Sequence, residues 1–160
     1  MREVERLQRE LQATLGGDPW YGSALWALLD GVDAAAAAAH PVKGAHSIWE
    51  LVLHMTAWTN EARRRIQGGV NRTPAEGDWP AVTAQSPSAW QAARNGLRHA
   101  NDELGHALLG IADGELDRQV GGAQVDADGH PVTYRQTVVG ILQHHAYHGG
   151  QIAILTRALR

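Results

Sequence analysis

Histidine is the residue type in this sequence with the most varied chemistry, and nine occur in 160 residues, whereas cysteine is absent. His144 and His148 are four residues apart, so on a helix their rings lie on one face, one turn apart. Both occupy positions of an apolar stripe where the pattern would otherwise have Ile or Leu. Two imidazoles at this spacing can converge on one metal ion.

A third histidine, His54, lies on another predicted helix, three residues after Leu51 and four before Trp58. This position is at the edge of the apolar face, so His54 is expected to face the interior of the domain. Together, His54, His144 and His148 predict a three-histidine metal site. Neutral imidazole suits zinc, nickel, iron or copper, and three protein ligands leave a position for water or substrate, as in catalytic sites.

The alternative interpretation is that these residues are core histidines, each hydrogen-bonded to a neighbour. For a single buried histidine this alternative is preferred. For a pair four residues apart the two interpretations are about equal, because burying two imidazoles without a shared ligand is costly.

Several neighbouring residues are candidates for supporting roles. Gln151 follows His148 along the helix and can orient a ligand imidazole through a hydrogen bond. Glu50 is expected to cap its helix rather than bind a metal, and Glu61 is expected to be a solvated acid. Trp79, in a long connection, is predicted to be either a lid over a pocket or a simple anchor.

The elements that must position these residues are helices, because apolar residues recur at steps of three and four along most of the chain. Two capping boxes, Ser47 with Glu50 and Thr133 with Gln136, mark helix starts. Asp18-Pro19 is interpreted as another start. The predicted helices run over residues 4–15, 18–39, 47–67, 86–111 and 133–160.

This pattern predicts an all-α, single-domain protein over residues 1–160: a four-helix bundle over 18–160 with a short N-terminal helical extension over 1–17. The connection over 68–86 is long enough to run the length of a helix. We therefore expect a crossover between the second and third bundle helices.

Composition and charge exclude several classes of protein. A formal net charge of −3 argues against a nucleic-acid binder, and the absence of cysteine excludes disulfides, thiolate nucleophiles and iron–sulfur clusters. No stretch approaches the roughly 20 apolar residues that span a membrane. The charged beginning of the sequence lacks the apolar region of a secretory signal, so a soluble, cytoplasmic protein is expected.

Two segments resemble a known family. The stretch SIWELVLHMTAW over 47–58 and the stretch QHHAYHGGQI over 143–152 are similar to the DinB-like, or YfiT-like, superfamily of metal-binding helical bundles. The Gly-Asp-Trp-Pro motif over 77–80 resembles one branch of it. The similarity covers about residues 18–160.

The resemblance implies an up-down-down-up four-helix bundle that often forms homodimers. It also implies that His54, His144 and His148 bind a divalent metal, often nickel or zinc. Members include transferases and isomerases that use low-molecular-weight thiols, and metal-dependent hydrolases. His145 departs from the acidic or polar residue expected there, which suggests an extra ligand or altered surroundings of the site.

Three functions are consistent with the sequence. The first is a metal-dependent enzyme that acts on a small molecule by thiol transfer, which the resemblance favours, or by hydrolysis. The second is a non-catalytic bundle that a metal ion stabilises. The third is an oligomeric interaction module, motivated by the extra N-terminal helix and the tryptophan-rich faces.

Overall fold

The architecture was obtained as a computed structural model that describes residues 1–122, 125 and 129–160. Six α-helices and one short 3-10 helix make up its regular structure, and the described residues form no strand. The all-α prediction is therefore confirmed. The helices are α1 (Glu3–Gly16), α2 (Leu25–Leu29), α3 (Ala34–Ala38), α4 (Ile48–Ile66), α5 (Pro87–Leu109) and α6 (Tyr134–Ala158), with the 3-10 turn at Asp113–Glu115.

The four long helices, α1, α4, α5 and α6, surround a common core. Helix α4 packs against both α5 and α6, and α1 packs against the same two helices. Their apolar stripes meet in a core whose fully buried members include Leu11, Leu51, Met55, Leu97, Leu104, Leu108 and Ile152. No helix in the described part of the chain has the length and apolar character that crossing a bilayer requires.

Local capping signals set where the site-bearing helices begin. Ser47 Oγ accepts a hydrogen bond from the backbone N–H of Glu50, and the Glu50 carboxylate accepts one from the N–H of Ser47. Thr133 and Gln136 form the same reciprocal arrangement before α6. These contacts satisfy N–H groups that a helix start leaves without partners. Both predicted capping boxes are confirmed, and they set the residues at which the two histidine-bearing helices begin.

The prediction of one helix over residues 18–39 is wrong. The segment forms two five-residue helices, α2 and α3, and Asp18-Pro19 starts neither of them. Gly31 has a φ of 71°, a left-handed conformation that glycine adopts easily and that ends α2. Asp33 then caps α3 by accepting from the N–H of Ala36 at 2.8 Å. These stop and start signals prevail over the helix propensity of the alanine run.

Helix α1 is part of the packed structure. Val4 and Leu11 on its inner face are fully buried. At its beginning, the backbone N–H groups of Glu3 and Val4 donate to the carboxylate of Asp113, both at 3.1 Å. A carboxylate here satisfies free N–H groups and complements the positive end of the helix dipole.

The connection from α4 to α5 runs back along α4. Its successive residues contact successively earlier residues of the helix. The pairs that mark this path are Arg72 with Arg65, Glu76 with Arg64, and Asp78 with Trp58, joined at 2.8, 2.9 and 2.7 Å. The connection therefore carries Asp78 and Trp79 to the middle of α4, beside His54.

Candidate metal centre

The structure brings His54 of α4 together with His144 and His148 of α6. The Nε2 atoms of His54 and His144 are 3.0 Å apart, and those of His148 and His144 are 3.1 Å apart. One ligand atom from each ring lies within 4.8 Å of the other two. Among the described residues this is the one group of three or more His, Asp or Glu side chains with such convergence.

The opposite ring nitrogens of two of these histidines have oxygen partners. Nδ1 of His54 donates to the backbone carbonyl of Asp78 at 2.6 Å. Nδ1 of His148 donates to Oε1 of Gln151 at 2.5 Å, which confirms the contact predicted between these residues. A neutral imidazole has one N–H, so donation from Nδ1 leaves a lone pair on Nε2. Both lone pairs are therefore available at the centre of the cluster.

His144 lies between the other two rings and differs from them. Its Nδ1 is buried and has no hydrogen-bond partner among the described residues. Burial, together with smaller electrostatic effects of the neighbouring His148, His145 and His54, lowers the pKa of His144 to about 3. Burial also lowers the pKa of His148, against the opposing effect of its bond to Gln151. Both rings are thus neutral at pH 7, the state in which imidazole binds metal ions.

This donor set fits a divalent transition metal. A proton on Nε2 of His144 can serve as donor to one of the two facing lone pairs but not fully to both, whereas a cation among the three nitrogens attracts all three lone pairs. Imidazole nitrogens are ligands for zinc, nickel, copper and iron. A ligating histidine usually donates its second N–H to a carbonyl or amide oxygen, as His54 and His148 do here. The cluster therefore has the composition and the support of a metal centre.

Trp79 stacks between two histidines. Its ring centroid is 3.8 Å from that of His54 and 3.5 Å from that of His46, and both pairs are within 9° of parallel. The indole covers one face of His54 and anchors the α4–α5 connection at the cluster. The sequence predicts a lid or an anchor at Trp79 as equal alternatives, and this stacking supports the anchor.

Of the roles predicted for the two glutamates on α4, one is confirmed and the other is wrong. Glu50 caps the helix, as predicted, and its Oε2 also accepts from Nε2 of His40 at 3.0 Å. The expectation of a solvated Glu61 is wrong, since its side chain is fully buried and paired with Arg64 and Arg65, each at 3.1 Å. Both close partners lie on α4 itself, at spacings that the sequence offers, whereas Arg72 of the returning connection approaches the same carboxylate at 3.9 Å only in the folded structure.

His145 points away from the cluster. It is fully buried between α5 and α6, where its Nε2 bonds to Oδ1 of Asn101 at 2.8 Å. Burial lowers the pKa of His145 to about 3. It is therefore a packing residue behind His144 and not a further ligand. Tyr147, which the sequence predicts to be a packing or surface residue, is largely exposed and lies beside His148.

Two residues at the site were not predicted for the roles they have. Asp78 acts through its backbone carbonyl, a group that every residue carries, so its identity gives no signal. His46 reaches the site by stacking on Trp79, although it precedes α4. The Gly-Asp-Trp-Pro motif was the one available sign that this part of the connection matters.

The chain matches a known protein family. A family model described as the DinB superfamily matches residues 22–152, which is most of the chain. The matched range includes the three histidines, the motif that carries Asp78 and Trp79, and Gln151. No curated protein and no solved structure matches the chain.

Proposed function

This chain belongs to the DinB superfamily, and from that premise we propose that it is a divalent-metal-dependent enzyme whose centre is held by His54, His144 and His148. The superfamily is metal-binding in general. Nickel and zinc are the ions we propose. Bound there, such an ion would supply Lewis acidity toward a thiol or a water molecule.

One observation supports this proposal most strongly: the three Nε2 atoms converge. Nε2 of His144 lies 3.0 Å from that of His54 and 3.1 Å from that of His148. The Nδ1 atoms of His54 and His148 each donate to an oxygen, which fixes the orientation of the two rings. Three core histidines without a shared ligand would leave at least one of the inward lone pairs without a full partner, because Nε2 of His144 carries at most one proton. The oxygen partners have the effect of directing lone pairs inward, which a metal requires and simple packing does not.

Thiol transfer is the reaction class we favour. The chain has no cysteine, so a sulfur nucleophile must come from a soluble low-molecular-weight thiol. The protein's own residues would hold the centre in place: Trp79 covers one face of the His54 ring, and Asp78 and Gln151 fix the orientations of His54 and His148. Hydrolysis of a small-molecule substrate is the second reaction that this centre supports.

A non-catalytic role is favoured by a separate observation. The cluster joins α4 to α6, and the Asp78 carbonyl joins the α4–α5 connection to the same place. An ion bound there would link three parts of the chain and stabilise the fold without turnover. The third alternative, an oligomeric interaction module, is supported by exposed aromatic residues such as Trp20.

The wider setting is also proposed. The return of the connection along α4 supports an up-down-down-up arrangement of the four long helices, with the crossover between α4 and α5. We propose a homodimer that acts on a small molecule in the cytoplasm and binds neither nucleic acid nor membranes. The net charge of −3 supports the absence of nucleic acid as a partner.

The test of the metal centre is the metal content of untagged protein, measured by elemental mass spectrometry. We expect about one transition metal per chain, lost in His144→Ala and retained in the control His99→Ala, whose histidine is exposed on α5. Equal metal in both variants, or none in wild-type protein after titration with zinc and nickel, would refute the centre.

Loaded protein then separates the functions. Turnover of electrophiles with a soluble thiol, abolished in His54→Ala and His148→Ala, supports the transferase. Turnover of ester or amide substrates without a thiol supports the hydrolase. Metal-dependent stability without any turnover supports the structural role.

A further inference from the structure

Two cavities of about 210 Å³ lie near the histidine cluster: one is lined by Gln151, the hydrogen-bond partner of His148, and the other by His144 itself. The first, here the Ile154 cavity, is lined by residues that include Val42, Ala45, His46, Leu51, Gln151 and Ile154. The second, here the Trp58 cavity, is lined by residues that include Trp58, Arg65, Val132, Thr137, Gly140 and His144. These two cavities are the candidate binding places for the part of a bound molecule that does not contact the metal.

The Ile154 cavity has apolar walls and an apolar rim. Its described lining contains no Asp, Glu, Lys or Arg. Ile154 is 60% exposed and Val42 is 38% exposed, although both are large aliphatic side chains. Apolar side chains next to a concave surface gain free energy when a ligand with an apolar body covers them.

The polar residues of this cavity connect it to the metal centre. Gln151 lines the cavity, and its Oε1 accepts the hydrogen bond from His148. The amide N–H groups of Gln151 have no partner among the described residues, so they can donate to an acceptor on a ligand. His46 lines the same cavity and stacks on Trp79, which in turn stacks on His54. Both residues thus lie between the cavity and the ligand histidines.

The size of the cavity indicates which apolar group it can hold. A cavity of about 150 Å³ is enough for benzene. At about 210 Å³, the Ile154 cavity is large enough for one ring or a short alkyl chain.

The Trp58 cavity is lined directly by His144, but it lacks an uncovered apolar rim. Its cation, Arg65, is already bound by Glu61 and by the carbonyl of Arg72. Its lining includes none of the large exposed apolar side chains of the described surface. It therefore has neither a free charge nor an uncovered apolar rim to attract a ligand.

We propose that the Ile154 cavity binds the apolar body, a single ring or short alkyl chain, of the small molecule on which the three-histidine centre acts. This inference rests on the proposed function. It makes Ala45 and Ile154 specificity-determining residues, and it assigns to Gln151 a hydrogen bond to a neutral acceptor near the metal-binding end of that molecule.

Alkyl hydroxamates on zinc-loaded protein test the inference, because one end of the probe binds zinc and the other is an alkyl chain of chosen length. Affinity is measured by isothermal titration calorimetry from acetohydroxamate to hexanohydroxamate. We expect affinity to rise about threefold to fourfold for each added methylene, the effect of burying a CH₂ group.

Three variants show which cavity binds the alkyl chain of the hydroxamate. Ala45→Leu fills the cavity and Ile154→Ser makes its exposed wall polar, so both should flatten the dependence on chain length while acetohydroxamate still binds. Gly140→Leu is the matched control in the Trp58 cavity, where an added Cβ meets nothing within 4 Å. It should retain the wild-type dependence. Ile154 is exposed, so its variant remains informative if Ala45→Leu does not fold.

Each other outcome has a definite meaning. A flat dependence in wild-type protein that binds acetohydroxamate overturns the cavity assignment and leaves the metal centre intact. A dependence lost in Gly140→Leu, or kept in both Ala45→Leu and Ile154→Ser, also overturns it. Failure to load zinc, or of loaded protein to bind any hydroxamate, overturns the proposed function together with this inference.

Discussion

The side-chain oxygen of Gln151 lies 2.5 Å from Nδ1 of His148, three residues earlier on the same helix. This contact fixes which nitrogen of His148 carries the proton and directs its Nε2 toward His54 and His144. We predict that Gln151→Ala lowers the affinity for zinc by about 10-fold to 100-fold, because loss of such a partner frees the ligand ring. Competition against a chromophoric chelator measures the change.

Two further variants define the cause of that loss. Gln151→Glu keeps an oxygen acceptor and should retain zinc affinity at or above the wild-type value. Gln143→Ala removes an exposed glutamine from the same helix and should have no effect. Equal affinities for Gln151→Ala and Gln143→Ala would show that the contact does not orient the ligand.

Metal removal is predicted to lower the melting temperature. An ion that binds the native and not the unfolded chain adds about 2.7 kcal/mol at 100 times its Kd. For a chain of this size that corresponds to about 5–10 °C, measured by calorimetry with and without a chelator. His54→Ala should show no such difference, whereas His106→Ala, which alters an exposed histidine, should show it in full. A wild-type response in His54→Ala would place the ion elsewhere.

Glu61 is predicted to be a major determinant of stability. Its carboxylate is fully buried against Arg64 and Arg65, whose side chains are 26% and 13% exposed. Among the described residues, Glu61→Gln would leave Arg65 without a carboxylate partner and Arg64 with Glu76 alone, and it should lower the free energy of unfolding by about 2 kcal/mol. Urea unfolding measures this loss. Glu103→Gln, at a partly exposed position on α5, should change it by less than about 0.5 kcal/mol.

His145 is predicted to make the metal-free protein sensitive to acid. Burial lowers the pKa of His145 to about 3 in the folded protein, from an ordinary value of 6.5. The unfolded chain therefore binds a proton that the folded chain does not, and stability present above pH 6.5 is lost as the pH falls toward 3. This residue contributes a slope of at most about 1.4 kcal/mol per pH unit.

The measurement is the free energy of unfolding in the presence of a chelator, at several pH values between 3 and 7. His145→Gln keeps a donor for Asn101 but cannot be protonated, so its unfolding should take up about one proton fewer than that of wild-type protein. Its free energy of unfolding should therefore fall less steeply as the pH is lowered. Parallel curves for the two proteins would mean that His145 is not held neutral by burial.

Features that depend on a few neighbouring residues were predictable from the sequence. The reciprocal bonds of Ser47 with Glu50 follow from their spacing, as does the shared face of His144 and His148. The break between α2 and α3 is also set by neighbouring residues, Gly31 and Asp33. These two residues lie within a run of strong helix formers, so the periodic apolar pattern predicts a continuous helix there.

The sequence by itself determined that the chain is helical, where α4 and α6 begin, and which of their faces carry histidines. Only the tertiary structure decided that the His54 and His144 nitrogens meet at 3.0 Å, that a backbone carbonyl of Asp78 orients His54, and that Glu61 is enclosed rather than solvated. The physical reason is the distance along the sequence over which each kind of interaction acts. Helix periodicity and capping act over about four residues, whereas these contacts depend on how α4, α6 and the returning connection pack, which the whole core determines.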